Sequence, residues 1–176
     1  MSTESPNGLP DAESALASLA ERMQGAVAID AGLVGIYSGG AWLAERLAQM
    51  LPGKHPVGYI DVSFYRDDYS KKGLRANVAT TTLPFEVNGG RIVLVDDVLY
   101  TGRSVRAAIN ELFDYGRPDS IELAVLVDRG GRELPIEPTY VGARVSVARN
   151  LSVVLSRHAD GRLELTVEPA GSDPRG

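Results

Sequence analysis

In some segments of this chain apolar residues recur at helical spacing, and in others they form the short runs or alternating patterns of strands. The two kinds of segment follow one another along the chain. A helix is predicted over residues 11–24, where four apolar residues share one face: Leu16, Leu19, Ala20 and Met23. The short apolar run 33–37 predicts a buried strand. After the turn 38–40 a second helix is predicted, which ends at Pro52-Gly53 and has an apolar face made of Leu43, Leu47 and Met50.

In the middle of the chain, predicted strands are again followed by a predicted helix. Residues 57–65 alternate and predict a strand, and the β-branched run 91–96 predicts another. Residues 66–84 between them show no sustained period and form either a long loop or a mobile hairpin. The helix predicted after residue 104 has its apolar face at Val105, Ala108, Ile109, Leu112 and Phe113. Gly116 and Pro118 close that helix.

The last third predicts strands. Residues 121–127 form an apolar run, and residues 163–167 alternate after Asp160-Gly161, a dipeptide suited to a tight hairpin turn. Strands that alternate with helices predict an α/β fold with a parallel sheet covered on both faces. Ligands of such sheets bind beyond the carboxyl ends of the strands, which here are the turns 38–40, 96–104 and 127–132.

Length and composition limit the remaining possibilities. The 176 residues suit one domain, expected over residues 11–168, with loose tails at 1–10 and 169–176. No apolar run reaches the eighteen residues of a membrane span, and the chain contains no cysteine and starts without a secretory signal, so we expect a cytoplasmic protein with no membrane partner. The net charge of −5 disfavours unspecific binding to nucleic acid.

One segment predicts chemistry more sharply than any other. In residues 93–105 an apolar strand leads into Asp96 and Asp97, and Thr-Gly-Arg-Ser then starts a helix. Unpaired N–H groups and a partial positive charge at a helix start suit a phosphate monoester, and the hydroxyls of Thr101 and Ser104 add donors. The two carboxylates would repel that phosphate, so they must face neutral or positive groups such as ribose hydroxyls and hydrated magnesium.

These thirteen residues resemble the phosphoribosyl-pyrophosphate signature of type I phosphoribosyltransferases. Together with residues 65–70 and 126–135 they resemble, more narrowly, the PyrR family of uracil phosphoribosyltransferases, some of which regulate pyrimidine operons. The resemblance implies a Rossmann-like sheet flanked by helices, with a small hood and a flexible loop. It also implies Mg²⁺ as cofactor, phosphoribosyl pyrophosphate, uracil and UMP as ligands, and a homo-oligomer.

The resemblance also implies roles for individual residues. Asp96, Asp97 and Arg66 are expected to be catalytic, with magnesium held by the two aspartates through water. The phosphoribosyl group is expected to bind at Val98, Leu99, Tyr100, Thr101, Gly102, Arg103 and Ser104. The base is expected to bind at the strand end formed by Val127, Asp128 and Arg129, largely through backbone groups.

Pyrophosphate is expected at the first turn and the unpatterned loop. Family members often have Thr-Arg-Gly in that turn, whereas this chain has Ser38, Gly39 and Gly40 and so lacks the arginine's charge. The loop contains Lys71 and Lys72, which suit a lid over pyrophosphate. The alternatives are a plain strand-to-helix turn and a solvated basic loop, and Arg129 and Arg132 could likewise be simple turn residues.

Other functions find less support. Thiol chemistry is excluded, His55 and His158 are too isolated for a metal cluster, and the turn after Asp97 lacks the Gly-Lys ending of an ATP-binding P-loop. A purine base remains an alternative to uracil. So does an RNA-binding regulator, although the first helix is acidic and RNA binding would need the fold to gather Arg144, Arg149, Arg157 and Arg162.

Overall fold

The computed structural model describes residues 8–63 and 80–171. Helices and strands follow one another in the order α1 (Ala12–Met23), β1 (Gly32–Ile36), α2 (Gly39–Met50), β2 (Val57–Ile60), β3 (Arg91–Leu99), α3 (Arg103–Tyr115), β4 (Ser120–Asp128), β5 (Tyr140–Arg144), β6 (Leu151–Arg157) and β7 (Leu163–Pro169). Within these two ranges no helix is both long enough and apolar enough to cross a bilayer.

A five-stranded sheet in the order β2-β1-β3-β4-β5 forms the centre, and every neighbouring pair is parallel. The predicted parallel α/β architecture is therefore confirmed. Gly35 pairs with Val95, so the end of β1 lies beside the acidic pair, while β3 and β4 stay paired as far as Leu99 and Asp128. This register brings the turn after β1 and the end of β3 to the same edge of the sheet.

Alternation along β3 supplies apolar side chains to both faces of the sheet. Val93 and Val95 join a core that contains the buried faces of α1 and α2, whereas Ile92 and Leu94 join a second core under α3. Both cores are closed by helices, as expected for parallel strands, which are buried on both sides.

The antiparallel hairpin β6–β7, which we call the hood, packs on the first of these cores through Val153, Leu155, Leu163 and Leu165. The Leu163 N–H donates to Glu13 Oε1 at 2.9 Å, and Arg46 Nη2 donates to Glu13 Oε2 at 2.7 Å. Glu13 thus joins the hood to both α1 and α2.

Three predicted details are wrong. Met50 is 43% exposed and Phe113 is 55% exposed, although both follow the helical stripe, and each lies in the last turn of its helix. The strand at 91–96 continues to Leu99, because residues 96–99 keep pairing with β4. The strand at 57–65 ends at Ile60.

The ends of the folded part also differ from the expectation. Leu9 is only 2% exposed and belongs to the core of α1, and β7 continues to Pro169. The edge strand β5 was not predicted. Most of the loop 66–84 lies outside the described residues, but Thr82 pairs with Tyr59 through backbone hydrogen bonds of 2.8 and 2.9 Å.

Candidate active site

The acidic pair lies inside β3, near its carboxyl end, and both side chains are buried. The Asp97 N–H donates to Asp96 Oδ1 at 2.9 Å, and the Val98 N–H donates to Asp97 Oδ1 at 2.8 Å. Backbone donors therefore hold one oxygen of each carboxylate along the strand. Two anionic groups are brought together at the sheet edge where parallel α/β folds bind ligands.

The turn between β1 and α2 packs directly against this pair. A β-carbon built on Gly39 would lie 2.9 Å from both Cβ and Cγ of Asp97, and one built on Gly40 would collide with the backbone oxygen of Val95. A side chain at position 39 would therefore displace the carboxylate of Asp97. This close contact gives a physical reason for glycine where the resemblance suggests arginine.

Ser38 is the exposed member of the turn, and the peptide bond between Tyr37 and Ser38 is cis. Its hydroxyl makes no capping bond to α2. The N–H groups of Gly39 and Gly40 begin the helix and have no carbonyl partner within it, because an α-helix leaves its first N–H groups unpaired. The turn thus offers backbone donors for an anion, without a charged side chain of its own.

Three successive carbonyl groups, at the end of β3 and in the loop that leads to α3, are engaged by hydrogen bonds. The oxygens of Leu99, Tyr100 and Thr101 accept hydrogen bonds from a single later segment, through Arg129 N (3.1 Å), Arg132 Nη1 (3.1 Å), Glu133 N (3.0 Å) and Leu134 N (3.2 Å). With the carbonyls held this way, the loop can present N–H groups to a ligand, as nests of successive N–H groups do in anion sites.

Gly102 makes the turn into α3 possible. Its φ of 92° lies in the left-handed region that favours glycine, and a β-carbon there would stand 2.9 Å from Cγ1 of Ile136. The Arg103 N–H donates to Thr101 Oγ1 at 3.3 Å, which closes a local turn at the helix start. The loop and helix start predicted to bind phosphate are therefore both present.

Asp128, at the end of β4, is the centre of an ion-pair cluster. It is 4% exposed and accepts from Arg144 Nη1 at 2.6 Å, from Arg132 Nη2 at 2.8 Å and from the Gly130 N–H at 3.0 Å. Burial alone would raise the pKa of Asp128, but the hydrogen bonds from Arg132 and Gly130 and the charges of Arg132 and Arg144 outweigh it and lower that pKa.

The side chain of Arg129 is 8% exposed and takes no part in these ion pairs of Asp128. Its guanidinium donates to the carbonyl oxygens of Leu151 at 2.8 Å and Ala148 at 3.1 Å, and lies 4.0 Å from the centroid of the Tyr100 ring. Arg129 and Arg132 are thus buried or half-buried and connect separate segments of the chain, and the expected contact of Arg129 with the base stays a prediction. Sequence alone showed arginines in a turn but not their partners.

The remaining site predictions fall in two groups. Arg66, Lys71 and Lys72 lie outside the described residues. Of the histidines, His55 is buried with its ring nitrogens 2.9 Å from the Ala31 oxygen and 3.0 Å from the Pro52 oxygen, and His158 contacts Glu164. Among residues 8–63 and 80–171 no group of three or more histidine or acidic side chains could hold a metal by itself.

A parallel sheet whose central strand leads through an acidic pair into a loop at a helix start is the arrangement of a phosphoribosyltransferase. The family model described as phosphoribosyl transferase domain matches residues 10–151. Solved structures agree in fold: hypoxanthine-guanine phosphoribosyltransferase from Bacillus anthracis superposes with a TM-score of 0.62 at 15% identity, covering 78% of this chain and 82% of that one. Purine phosphoribosyltransferase from Pyrococcus horikoshii gives 0.57 at 26% identity, with 76% and 82% covered.

Curated relatives are closer in sequence. The Bifunctional protein PyrR of Ralstonia nicotianae is 56% identical over 160 residues, which cover 89% of this chain and 91% of the relative. The Bifunctional protein PyrR of Pseudomonas paraeruginosa is 52% identical over 134 residues, 76% of this chain and 79% of the relative. The chain belongs to the PyrR family of phosphoribosyltransferases, as the resemblance of its motifs predicted.

Proposed function

We propose that this protein transfers the phosphoribosyl group of phosphoribosyl pyrophosphate to uracil, giving UMP and pyrophosphate. The observation that supports this most directly is the combination of Asp96 and Asp97 with the loop that follows them, in which the carbonyls of residues 99–101 are all held by one later segment. Membership of the PyrR family supports uracil as the base. The 5′-phosphate binds at Tyr100 to Ser104, and the ribose hydroxyls face the acidic pair.

The reaction is a displacement at the anomeric carbon of the ribose. N1 of uracil forms the new bond, the bond to the pyrophosphate oxygen breaks, and the N1 proton leaves to solvent or to pyrophosphate. Positive charge develops on the ribose as the leaving group departs. The carboxylates of Asp96 and Asp97 stabilise that charge and orient the sugar, because fixed anions in a buried site act at reduced dielectric.

Pyrophosphate is released at the first turn, where Gly39 and Gly40 supply backbone N–H groups and Ser38 a hydroxyl. Lys71 and Lys72 are proposed to help bind pyrophosphate, a role that rests on the sequence alone. At the far side of the ribose, the strand end formed by Val127, Asp128 and Arg129 is proposed to line the base site. The Asp128 carboxylate is already bound by two arginines, so backbone groups are the available contacts.

Magnesium fits the residues present if it is held mainly by the substrate. Two adjacent carboxylates are a typical protein contribution to a magnesium ion that keeps several waters and binds substrate oxygens, and the described residues hold no third ligand beside them. When bound, the ion neutralises negative charge on the pyrophosphate leaving group. Asp96 and Asp97 would hold it through water.

A base panel tests the proposed function. The protein is incubated with phosphoribosyl pyrophosphate, magnesium and each of uracil, cytosine, hypoxanthine and guanine, and the nucleotide formed is identified by chromatography. UMP should form fastest, and chelation of magnesium should abolish its formation. Faster formation of IMP or GMP would overturn uracil in favour of a purine base.

A second role is suggested by the name of the curated relatives, bifunctional protein, and by the resemblance to operon regulators. In this second role the same protein would bind RNA in a manner that depends on UMP. Two of the arginines named as a possible patch are separated: Arg149 precedes β6 and Arg157 ends it, which puts roughly 20 Å of strand between them. Arg144 is paired with Asp128 and Arg157 stacks on Trp42, so we regard the enzyme as the dominant role.

A further inference from the structure

The ring of Tyr100, in the loop that we assign to phosphate, is held by the turn that follows β4. The Arg129 guanidinium lies 4.0 Å from its centroid. On Gly131, whose φ is 81°, a β-carbon would stand 2.9 Å from Cδ2 of Tyr100, so the turn fits closely against the ring. The loop conformation at residue 100 therefore depends on what holds Arg129.

Arg129 is held by the segment that leads into the hood. Its guanidinium donates to three backbone oxygens, those of Leu151 (2.8 Å), Ala148 (3.1 Å) and Val147 (3.5 Å). A buried cation is stable only with such partners, and here they are uncharged carbonyls together with the Tyr100 ring. The described contacts of this side chain thus join the hood to the phosphate loop.

We propose that Arg129 is a positioning residue for phosphoribosyl binding: it sets the Tyr100–Ser104 loop relative to the hood without touching the reacting atoms. The inference rests on the assignment of the 5′-phosphate to that loop. Arginine suits the task because its planar group offers a face to Tyr100 while its edges donate to several carbonyls. Lysine could keep the charge near the ring but not the spread of bonds.

The kinetic consequence follows from where the 5′-phosphate sits. It is bound both before and during the reaction, so loss of loop geometry weakens uniform binding, which raises KM and leaves kcat nearly unchanged. For Arg129→Gln we expect KM for phosphoribosyl pyrophosphate to rise about tenfold or more, with kcat within about threefold. For Arg129→Lys we expect a KM for phosphoribosyl pyrophosphate between those of Arg129→Gln and the native protein.

Binding measurements separate positioning from general damage. Ribose 5-phosphate, which needs the loop but no base, and inorganic pyrophosphate, which uses the first turn, are titrated by calorimetry with magnesium present and well below the melting temperature. Arg129→Gln should weaken ribose 5-phosphate at least about tenfold and leave pyrophosphate within about twofold. Arg46→Gln is the matched control, since it breaks another arginine contact at the hood–helix junction, with Glu13, and should change neither affinity.

Unchanged ribose 5-phosphate affinity in a folded Arg129→Gln protein would overturn the proposal. Equal weakening of both ligands would also overturn it, because that pattern indicates general damage. If Arg129→Gln fails to fold, Arg129→Lys decides by the same two affinities. If the native protein instead makes no UMP from uracil, the base assignment fails, but ribose 5-phosphate still tests the role of Arg129.

Discussion

Asp97 packs against the α-carbon of Gly39, so closely that any β-carbon at position 39 would reach within 2.9 Å of Cβ and Cγ of the aspartate. The turn assigned to pyrophosphate and a carboxylate assigned to ribose are therefore in direct contact. The parallel pairing of β1 with β3 produces this contact, since the last pair, Gly35 with Val95, brings the end of β1 beside the acidic pair. The aspartate at position 97 therefore leaves no room for a side chain at position 39.

Gly39→Ala should therefore impair the enzyme rather than the fold. The methyl group pushes the Asp97 carboxylate out of place, and we expect kcat/KM to fall about tenfold or more, because small misplacements of reacting groups are costly. Kinetics and thermal melting measure the two effects. Gly25→Ala is the control: its surroundings are open but its φ is 80°, so it should lose stability and keep its kinetics. A fully active Gly39→Ala protein would contradict the contact.

Asp97→Asn and Asp96→Asn should each lower kcat by about a hundredfold, because each removes a negative charge placed where positive charge develops. The amide has nearly the same shape and can still accept from the following N–H group, so the melting temperature should change by only a few degrees. Steady-state kinetics and calorimetric melting check the two statements. Full activity in either variant would remove that aspartate from the proposed site.

Asp128→Asn should destabilise the protein by about 3 kcal/mol at neutral pH, because it leaves Arg132 and Arg144 without their buried anionic partner. Urea unfolding gives the free energy of unfolding for the variant and the native protein. Asp30→Asn is the control, since its pair with Arg91 is exposed on both sides and spans 3.4 Å, and it should cause no measurable change.

The effect of Asp128→Asn should also depend on pH. The pKa of Asp128 is lower in the folded protein than its ordinary value of 3.8, so protonation favours the unfolded chain. Its contribution is complete above about pH 5 and is lost as the pH falls through the lowered pKa. The difference between native and variant proteins should therefore shrink below about pH 4. A difference that stays constant down to pH 3 would contradict the ion-pair cluster.

Binding to pyrimidine-operon leader RNA should be weak or undetectable at physiological salt. A protein with six to ten phosphate contacts loses about a thousandfold in affinity or more as salt rises, and it depends on many clustered cations. This chain has a net charge of −5, Arg144 is in an ion pair with Asp128, and Arg149 and Arg157 lie at opposite ends of β6. Filter binding with and without UMP measures this, and nanomolar affinity strengthened by UMP would establish the regulatory role.

The sequence predicted those parts of the fold that local pattern determines. The order of strand-like and helical segments placed the strands and helices of the parallel sheet. Residues 100–104 follow β3 as the strand-end rule predicts, whereas the acidic pair lies within the strand, near its end. Strand β5 was not predicted because it is an edge strand of five residues of which only Tyr140 is buried, so its apolar pattern is weak. Met50 and Phe113 were misplaced because a helical stripe does not show where the partner surface ends.

The connections around Tyr100 could not be predicted from spacing. Arg129 and Arg132 stand three residues apart, yet one donates to the hood and the other to Asp128 and the Tyr100 oxygen. Which partner an arginine finds depends on the packing of segments far apart in sequence. Likewise, the glycine at position 39 looked like a missing arginine until the structure placed Asp97 beside it.

The hydrogen bond from the Leu163 N–H to Glu13 joins residues that lie 150 positions apart. During synthesis α1 leaves the ribosome before the hood, so Leu163 and Leu165 can join the core that contains the apolar side of α1 only after all the strands of the central sheet have been made. Contacts between such distant segments form slowly, because the intervening chain has to be ordered first. A ribosome stalled before β7 would therefore hold a nascent chain with an unfinished core, open to chaperones and proteases.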